Sequence, residues 1–136
     1  MAPRVLISDK LSETAVQIFR DRGLDVTFEP DLGKDKDRLL EMIPDFDGLA
    51  IRSATKVSEK VLEAAKNLRV IGRAGIGVEK VDLETLLKRA DFISLHTPLT
   101  DKTRNILDAG ALSRTKQGVR IINCARGGLI DEAALA

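Results

Sequence analysis

The 136-residue sequence contains one cysteine, Cys124, one histidine, His96, and no tryptophan or tyrosine. A single cysteine excludes an intramolecular disulfide, and one histidine with one cysteine cannot supply the usual four ligands of a zinc site. The aromatic residues are four phenylalanines, which argues against a surface that stacks bases or sugars. Such sparing use of cysteine is typical of a reducing compartment, and we expect a cytoplasmic protein.

The sequence also lacks an excess of either charge and any long apolar run. Its 22 basic residues balance 21 acidic ones, for a formal net charge of +1. Nothing therefore predicts a nucleic-acid partner or an anionic membrane surface. No apolar stretch approaches the ~20 residues that span a bilayer, and the first residues resemble a short strand rather than a signal peptide. We expect no membrane partner.

Short apolar runs alternate with stretches of helical periodicity along the chain. The predicted strands are 5–7, 25–28, 48–51, 69–72, 92–95 and 119–123. The predicted helices are 13–22, 34–43, 59–66, 82–89, 105–114 and a last one that begins after Asp131. This order predicts an α/β fold with right-handed crossovers and a doubly wound parallel sheet, a flavodoxin-like or Rossmann-like three-layer sandwich. Because composition marks no linker, we expect one hybrid domain.

Four polar or glycine-rich turns, at 52–55, 73–78, 96–100 and 124–128, follow predicted strands. Open parallel sheets bind ligands at the carboxyl ends of their strands. Because the turns combine three arginines with hydroxyls and glycine backbone, we predict that they bind a small anion. The alternative is that these turns are polar and glycine-rich only because the chain must reverse there.

Each residue in these turns has a functional and a structural interpretation. Arg52 and Arg73 directly follow buried strands, so each either binds an anion or forms a structural salt bridge. Arg126 stands before two glycines, which suits bidentate recognition of a carboxylate, although a surface or capping role fits equally. His96 is interpreted as a turn residue rather than an acid–base catalyst, and Cys124 as a small buried filler rather than a nucleophile.

The glycine-rich turn after the fourth strand is not a dinucleotide fingerprint. Gly72, Gly75 and Gly77 have the spacing G-x-x-G-x-G rather than G-x-G-x-x-G, and Lys80 stands where the third glycine would fall. No acidic residue at a strand end follows at the distance that recognition of a ribose requires.

Several segments together resemble the D-isomer-specific 2-hydroxyacid dehydrogenase family, and within it the D-3-phosphoglycerate dehydrogenases. The matching segments are 5–9, 51–57, 70–78, 90–100 and 118–128. The resemblance implies that residues 1–78 correspond to part of a flavodoxin-like substrate-binding domain. Residues 79–136 then correspond to the second half of an NAD-binding Rossmann domain. It further implies that the segment between them, with the G-x-G-x-x-G turn, is missing, and that the chain is cut before the family's catalytic Glu and His.

The junction at Gly77–Leu83 resembles two stretches of the family at once, one in each domain. A deletion between two similar stretches would leave such a seam. The resemblance also assigns roles to residues of this chain. It implies that Arg126 is catalytic and that substrate is bound by Arg52, Ser53, Gly75, Ile76 and Gly77. The residues that would line the NAD cleft are His96, Thr97, Pro98, Cys124, Ala125 and Arg126.

The implied reaction is NAD-dependent oxidation of 3-phosphoglycerate to 3-phosphohydroxypyruvate, at the start of serine synthesis. Because this sequence lacks the pyrophosphate turn and the acid–base pair, we expect no turnover from the chain alone. The alternative is a non-catalytic hybrid module that binds a small anion or takes part in assembly, with self-association into a homo-oligomer. A phospho-receiver domain is a third interpretation, suggested by Asp9, but Arg52 stands where the third strand should present the phospho-acceptor.

Overall fold

The computed structural model describes residues 1–75 and 81–136, which fall into two compact units, Met1–Gly75 and Ile76–Ala136. The α/β class is confirmed, because every pairing between its strands is parallel and helices alternate with strands. The described strands form two parallel sheets, one of four strands and another of two. The assignment of 1–78 and 79–136 to two family domains stays a prediction.

The first unit has its four strands in the order β2-β1-β3-β4. These strands are β1 (Arg4–Ile7), β2 (Asp25–Phe28), β3 (Gly48–Ile51) and β4 (Val70–Arg73). The chain leaves β1 for β2 on one side and returns to β3 on the other, so the winding direction changes between β1 and β3. In doubly wound sheets, a ligand crevice opens at the carboxyl ends of the strands that flank such a point.

Helices α1 (Glu13–Asp21), α2 (Lys36–Met42) and α3 (Glu59–Ala64) connect these strands. Val16 of α1 belongs to a cluster with Val5, Ile7 and Ala50 of the sheet. The strand residues that alternate with these, such as Leu6 and Leu49, are also buried, so both faces of the central strands β1 and β3 are covered.

Local capping sets where two of these helices begin. Ser12 caps α1, as predicted, by accepting a hydrogen bond from the N–H of Ala15. The helix predicted over 34–43 starts later, because the Asp35 side chain caps it by accepting from the N–H of Arg38. Short 3-10 turns, Leu32–Lys34 and Ile43–Asp45, flank the helix, and the second contains Pro44.

The second unit contains two parallel strands, β5 (Phe92–Leu95) and β6 (Arg120–Asn123). Its described helices are α4 (Leu83–Arg89), α5 (Ala109–Ser113) and α6 (Glu132–Leu135). One face of the strand pair is packed, since Ile93 lies in a cluster with Leu87, Leu107 and Ala111. This separate core and the full register between β5 and β6 explain why these strands form their own sheet.

The helix predicted over 105–114 is much shorter. Asn105 has a positive φ of 48°, which interrupts helical geometry, and Leu107 forms an isolated parallel bridge with Ile130. Helix α5 begins only after Asp108, whose side chain accepts from the N–H of Ala111 at 2.7 Å.

The other face of the β5–β6 pair carries exposed apolar side chains. Phe92 is 61% exposed and Ile122 is 47% exposed. The Arg120 guanidinium lies 5.2 Å from the centre of the Phe92 ring, a cation–π contact that covers part of it. Parallel strands are usually buried on both faces, so this face, termed here the open face (Phe92, Ser94, Arg120 and Ile122), departs from the rule. In the described part of the chain, no helix is long and apolar enough to cross a bilayer.

Candidate functional site

The first candidate region is the carboxyl edge of the four-stranded sheet, where Asp9 anchors the turn that follows β3. Asp9 is only 2% exposed. Its carboxylate accepts hydrogen bonds from the backbone N–H groups of Arg52 (2.6 Å), Ala54 (3.2 Å) and Thr55 (3.1 Å). Three donors satisfy a buried carboxylate that would otherwise be costly. Asp9 is thus a structural anchor for the turn after β3, and all three of these bonds are internal to the fold.

Ser8, Gly33 and Thr55 tighten the same turn. The hydroxyls of Ser8 and Thr55 lie 2.8 Å apart, and the N–H of Gly33 donates to the Ser8 carbonyl at 2.9 Å. A Cβ on Gly33 would lie 2.3 Å from the Thr55 hydroxyl oxygen and 2.8 Å from the Thr55 nitrogen. Only glycine fits this close approach.

Arg52 and Arg73 stand at adjacent strand ends of this edge. Nη1 of Arg52 donates to the Lys10 carbonyl at 3.1 Å, and Nε of Arg73 donates to the Arg52 carbonyl at 3.3 Å. Neither guanidinium pairs with a carboxylate among the residues that the structure describes. The salt-bridge interpretation therefore finds no support among the described residues. Arg52 is exposed and Arg73 is half-buried.

The structure describes two of the other four predicted substrate-binding residues, Ser53 and Gly75. Ser53 is exposed beside Arg52, and its N–H is the one in the 52–55 turn that does not donate to Asp9. Gly75 follows β4, and a Cβ there would lie 3.2 Å from Nη2 of Arg73. Ile76 and Gly77, like most of the proposed seam, lie outside the described residues.

The second candidate region is a cleft of about 350 Å³ in the second unit. It lies at the carboxyl ends of β5 and β6, and the turns after these two strands supply all of its lining. The lining residues are His96, Thr97, Pro98, Cys124, Ala125 and Arg126. These are the six residues that the resemblance assigned to the NAD cleft, and the structure brings them together around one space.

Two polar side chains of this cleft have contrasting partners. Nε2 of His96 lies 2.7 Å from the Ser94 hydroxyl, and the histidine is exposed. The Thr97 hydroxyl oxygen is inaccessible to solvent and has no hydrogen-bond partner among the described residues. Because an unpaired buried hydroxyl is costly, Thr97 is suited to bond with a ligand in the cleft.

Arg126 projects from a turn that Asn123 closes. The Asn123 side chain accepts from the N–H of Ala125 at 3.0 Å and donates to the carbonyl of Arg126 at 2.8 Å. Arg126 is exposed, and its Nη1 donates to the Ala125 carbonyl at 3.0 Å. The guanidinium has no acidic partner in the described residues, so its charge is available to an anion.

Cys124 corrects one interpretation, because it is exposed rather than a buried filler. Its N–H donates to the Leu95 carbonyl at the end of β5. Cys124 is one of the residues that line the cleft. Among the described residues, no group of three His, Cys, Asp or Glu side chains could hold a metal ion.

The cleft fits only part of a dinucleotide. Pockets for small molecules usually measure about 300–1,000 Å³, so 350 Å³ suits one ring or a small acid. The Thr97 hydroxyl and the Arg126 guanidinium are suitable polar groups for binding one ring or a small acid. The sequence supplies no G-x-G-x-x-G turn to hold a pyrophosphate. The residues present therefore do not fit a whole dinucleotide, because no turn for its pyrophosphate is among them.

The sequence analysis did not predict the roles of two residues that hold these turns in place, Asp9 and Asn123. Asp9 was considered only as a residue that suggests a phospho-receiver domain, although a buried carboxylate needs hydrogen-bond donors such as backbone N–H groups. Asn123 was assigned simply to the end of a strand. Asparagine at a strand end followed by a turn is a signal for a side chain that bonds to its own backbone two residues on.

Comparison with known proteins gives a consistent picture. Residues 50–136 match the sequence model of the D-isomer specific 2-hydroxyacid dehydrogenase NAD binding domain. Hydroxypyruvate reductase of Thermotoga maritima is 29% identical over 238 aligned residues, covering 97% of this chain and 77% of that protein. D-3-phosphoglycerate dehydrogenase of Mycobacterium tuberculosis is 57% identical over 63 residues, covering 46% of this chain and 12% of that protein.

Two further matches concern extent and fold. D-3-phosphoglycerate dehydrogenase of Methanocaldococcus jannaschii is 27% identical over 241 residues, covering 97% of this chain but 45% of that protein. This alignment and that with the Thermotoga maritima protein are both longer than this chain of 136 residues. The relatives therefore contain, within the aligned region, roughly a hundred positions that have no counterpart here. The crystal structure of NAD⁺-bound 3-phosphoglycerate dehydrogenase from Entamoeba histolytica has a TM-score of 0.54 at 19% identity, covering 99% of this chain and 76% of that chain. This last likeness shows the fold alone.

Proposed function

Because the chain belongs to the D-isomer specific 2-hydroxyacid dehydrogenase family, whose cofactor is NAD and whose substrates are small hydroxy acids, we propose that it binds a small hydroxy-acid anion of the 3-phosphoglycerate type. We propose further that the isolated chain does not complete the dehydrogenase reaction. The observation that carries the proposal is the cleft formed by residues 96–98 and 124–126. Its Arg126 guanidinium is exposed, and its one partner among the described residues is the Ala125 carbonyl of its own turn.

Arg126 recognises the carboxylate of the acid. A guanidinium presents its donors in a planar fork that matches the two oxygens of a carboxylate, and such charge-assisted pairs are stronger than neutral hydrogen bonds. Its positive charge also favours electron density that develops on an oxygen next to the reacting carbon. The Thr97 hydroxyl, unpaired in the structure, supplies a further donor or acceptor in the same cleft.

Arg52 and Arg73 form a second anion-binding region in the first unit. Their guanidinium groups lie at the ends of neighbouring strands without carboxylate partners in the described residues. Asp9 already occupies the N–H groups of Arg52, Ala54 and Thr55. Anion binding at this edge therefore depends on side chains, with the backbone of Ser53 as the remaining donor in that turn.

Hydride transfer needs more than this chain provides. NAD would supply the hydride acceptor when bound, yet the sequence has no glycine turn for its pyrophosphate. Transfer also requires a general base for the hydroxyl proton. His96, the one histidine of the sequence, is not in the position of the family's catalytic histidine, and it bonds to Ser94. The expected result is binding without turnover.

Two measurements test the proposal on the 136-residue chain. NAD reduction with 3-phosphoglycerate should not exceed that of a heat-denatured sample. Titration calorimetry with 3-phosphoglycerate should show binding that R126A weakens about tenfold or more, the value of one charge-assisted hydrogen bond. R20A, an exposed arginine in the last turn of α1, is the matched control and should bind as the parent does.

A double variant, R52A with R73A, separates the two regions. We expect this variant to weaken the binding of 3-phosphoglycerate at the first unit, while R20A does not. Turnover above the heat-denatured control would contradict the proposed lack of activity. Absence of any heat at millimolar 3-phosphoglycerate would contradict the proposed anion binding.

The non-catalytic assembly module remains the second candidate. The open face of β5–β6 favours it, because Phe92 and Ile122 expose apolar surface that another protein surface could cover. Sedimentation at increasing concentration tests it, since a mass that stays monomeric up to high micromolar concentration would contradict self-association.

A further inference from the structure

Asn123 commits both polar atoms of its side-chain amide to the turn that carries Arg126. Oδ1 accepts from the N–H of Ala125 at 3.0 Å, and Nδ2 donates to the carbonyl of Arg126 at 2.8 Å. The two bonds bracket the Arg126 backbone from both sides. They fix the direction in which the arginine side chain leaves the main chain.

The Arg126 guanidinium also contacts the backbone of this turn. Its Nη1 donates to the Ala125 carbonyl at 3.0 Å. Ala125 is therefore held at its N–H by Asn123 and contacted at its C=O by Arg126. Without the Asn123 side chain, this turn loses both of these hydrogen bonds.

We propose that Asn123 is a positioning residue for Arg126, which keeps the guanidinium ordered before the anion arrives. The proposal rests on the proposed function, in which Arg126 receives the carboxylate of a small hydroxy acid. Arginine has extensive rotamer freedom that it must lose to bind a carboxylate through two donors. A side chain that is already ordered loses less on binding, and affinity rises accordingly. A purely structural cap would stabilise the turn and leave the order of the guanidinium unchanged.

The first experiment needs no ligand. Nuclear magnetic resonance of the ¹⁵N-labelled 136-residue chain reports the order and chemical shift of the Arg126 Nε–Hε group, which is assigned by its loss in R126K. We expect N123A to lower the order of this group and shift its resonance. N123D should be intermediate, because a carboxylate can still accept from the Ala125 N–H but cannot donate to the Arg126 carbonyl.

N67A is the matched control. The Asn67 side chain also donates to a backbone carbonyl, that of Pro44 at 2.8 Å, but in the first unit. It should leave the Arg126 signal in place. If N123A fails to fold, N123D decides the question, because it retains one of the two hydrogen bonds.

The second experiment adds 3-phosphoglycerate as the probe. We expect N123A to weaken its binding about three- to tenfold, the range expected for one or two lost hydrogen bonds, while N67A leaves it unchanged. Absence of binding to the parent chain would contradict the proposed function, and the ligand-free Arg126 signal would still test the role of Asn123. An unchanged Arg126 order and shift in folded N123A or N123D would overturn the proposal.

Discussion

Replacing Asp9 with alanine removes the acceptor of three backbone N–H groups at once. Thr55 is fully buried, so its N–H would lose its partner without access to water, at a cost of about 1–3 kcal/mol. Arg52 and Ala54 are exposed, and water can replace the carboxylate there, at about 1 kcal/mol for each charge-assisted bond. We expect D9A to lower the free energy of unfolding by about 3–5 kcal/mol, a large part of the ~5–15 kcal/mol that a domain possesses.

D9N is the informative second variant. Oδ2 of Asp9 accepts from Arg52 and Thr55, whereas Oδ1 accepts from Ala54 alone. An asparagine can keep its oxygen at the first position, but its NH2 group then faces the Ala54 N–H, donor against donor, and the negative charge is lost. The expected loss is about 1–3 kcal/mol, smaller than that of D9A. D45A, which removes an exposed carboxylate of the same unit, should change stability by no more than ~0.5 kcal/mol.

Circular dichroism during denaturant unfolding measures these differences, since the sequence has no tryptophan or tyrosine for fluorescence. Hydrogen exchange at the amides of Arg52, Ala54 and Thr55 locates the effect. A loss below ~1 kcal/mol in D9A, with unchanged protection at Thr55, would refute the assigned role of Asp9.

Three further perturbations have expected outcomes. D108A removes the cap that accepts from the Ala111 N–H and should cost about 1 kcal/mol in urea unfolding; no change in midpoint would contradict the cap. F92T should reduce the fluorescence of a dye that binds apolar surface, because Phe92 is 61% exposed, and equal fluorescence would mean that the open face is covered. The hydrogen bond and charge of Lys34 hold the pKa of Asp31 below its usual value, and Asp31 raises the pKa of Lys34. The Asp31 contribution is present above its unfolded pKa near ~4 and is lost as pH falls through the folded value. The Lys34 contribution is present below its unfolded pKa near ~10.4 and is lost as pH rises through the folded value. Because this pair is fully exposed, D31N should barely change the unfolding midpoint at pH 7, and a large drop would contradict that reasoning.

Elements that depend on local sequence could be predicted from it. Ser12 and Asp131 cap helices where their spacing indicated, since an N-cap involves residues only three apart. The family resemblance, rather than a local pattern, assigned His96–Pro98 and Cys124–Arg126 to one cleft. Both segments follow strands that pair in parallel, and the ends of such strands meet at one edge.

Features that depend on distant residues could not be predicted. The partners of Asp9 lie 43 to 46 residues further along the chain, so no local pattern reveals that a carboxylate near one strand anchors the turn after another. The helix expected over 105–114 was shortened by a bridge between Leu107 and Ile130, which competes for the same backbone. The split into two sheets likewise depends on which strand edges pair, a long-range choice that apolar periodicity does not encode.

The close approach of Gly33 to Thr55 has a consequence for how this sequence can vary. Because the added Cβ would meet the backbone nitrogen of Thr55 at 2.8 Å as well as its hydroxyl, shortening the Thr55 side chain would not make room for alanine at position 33. No single substitution of Thr55 would therefore compensate for alanine at position 33. Position 33 lies in a short turn, yet its close contact with Thr55 makes glycine necessary for the conformation of the turn after β3, which carries Arg52. We therefore expect glycine at position 33 in any variant of this chain that keeps this turn.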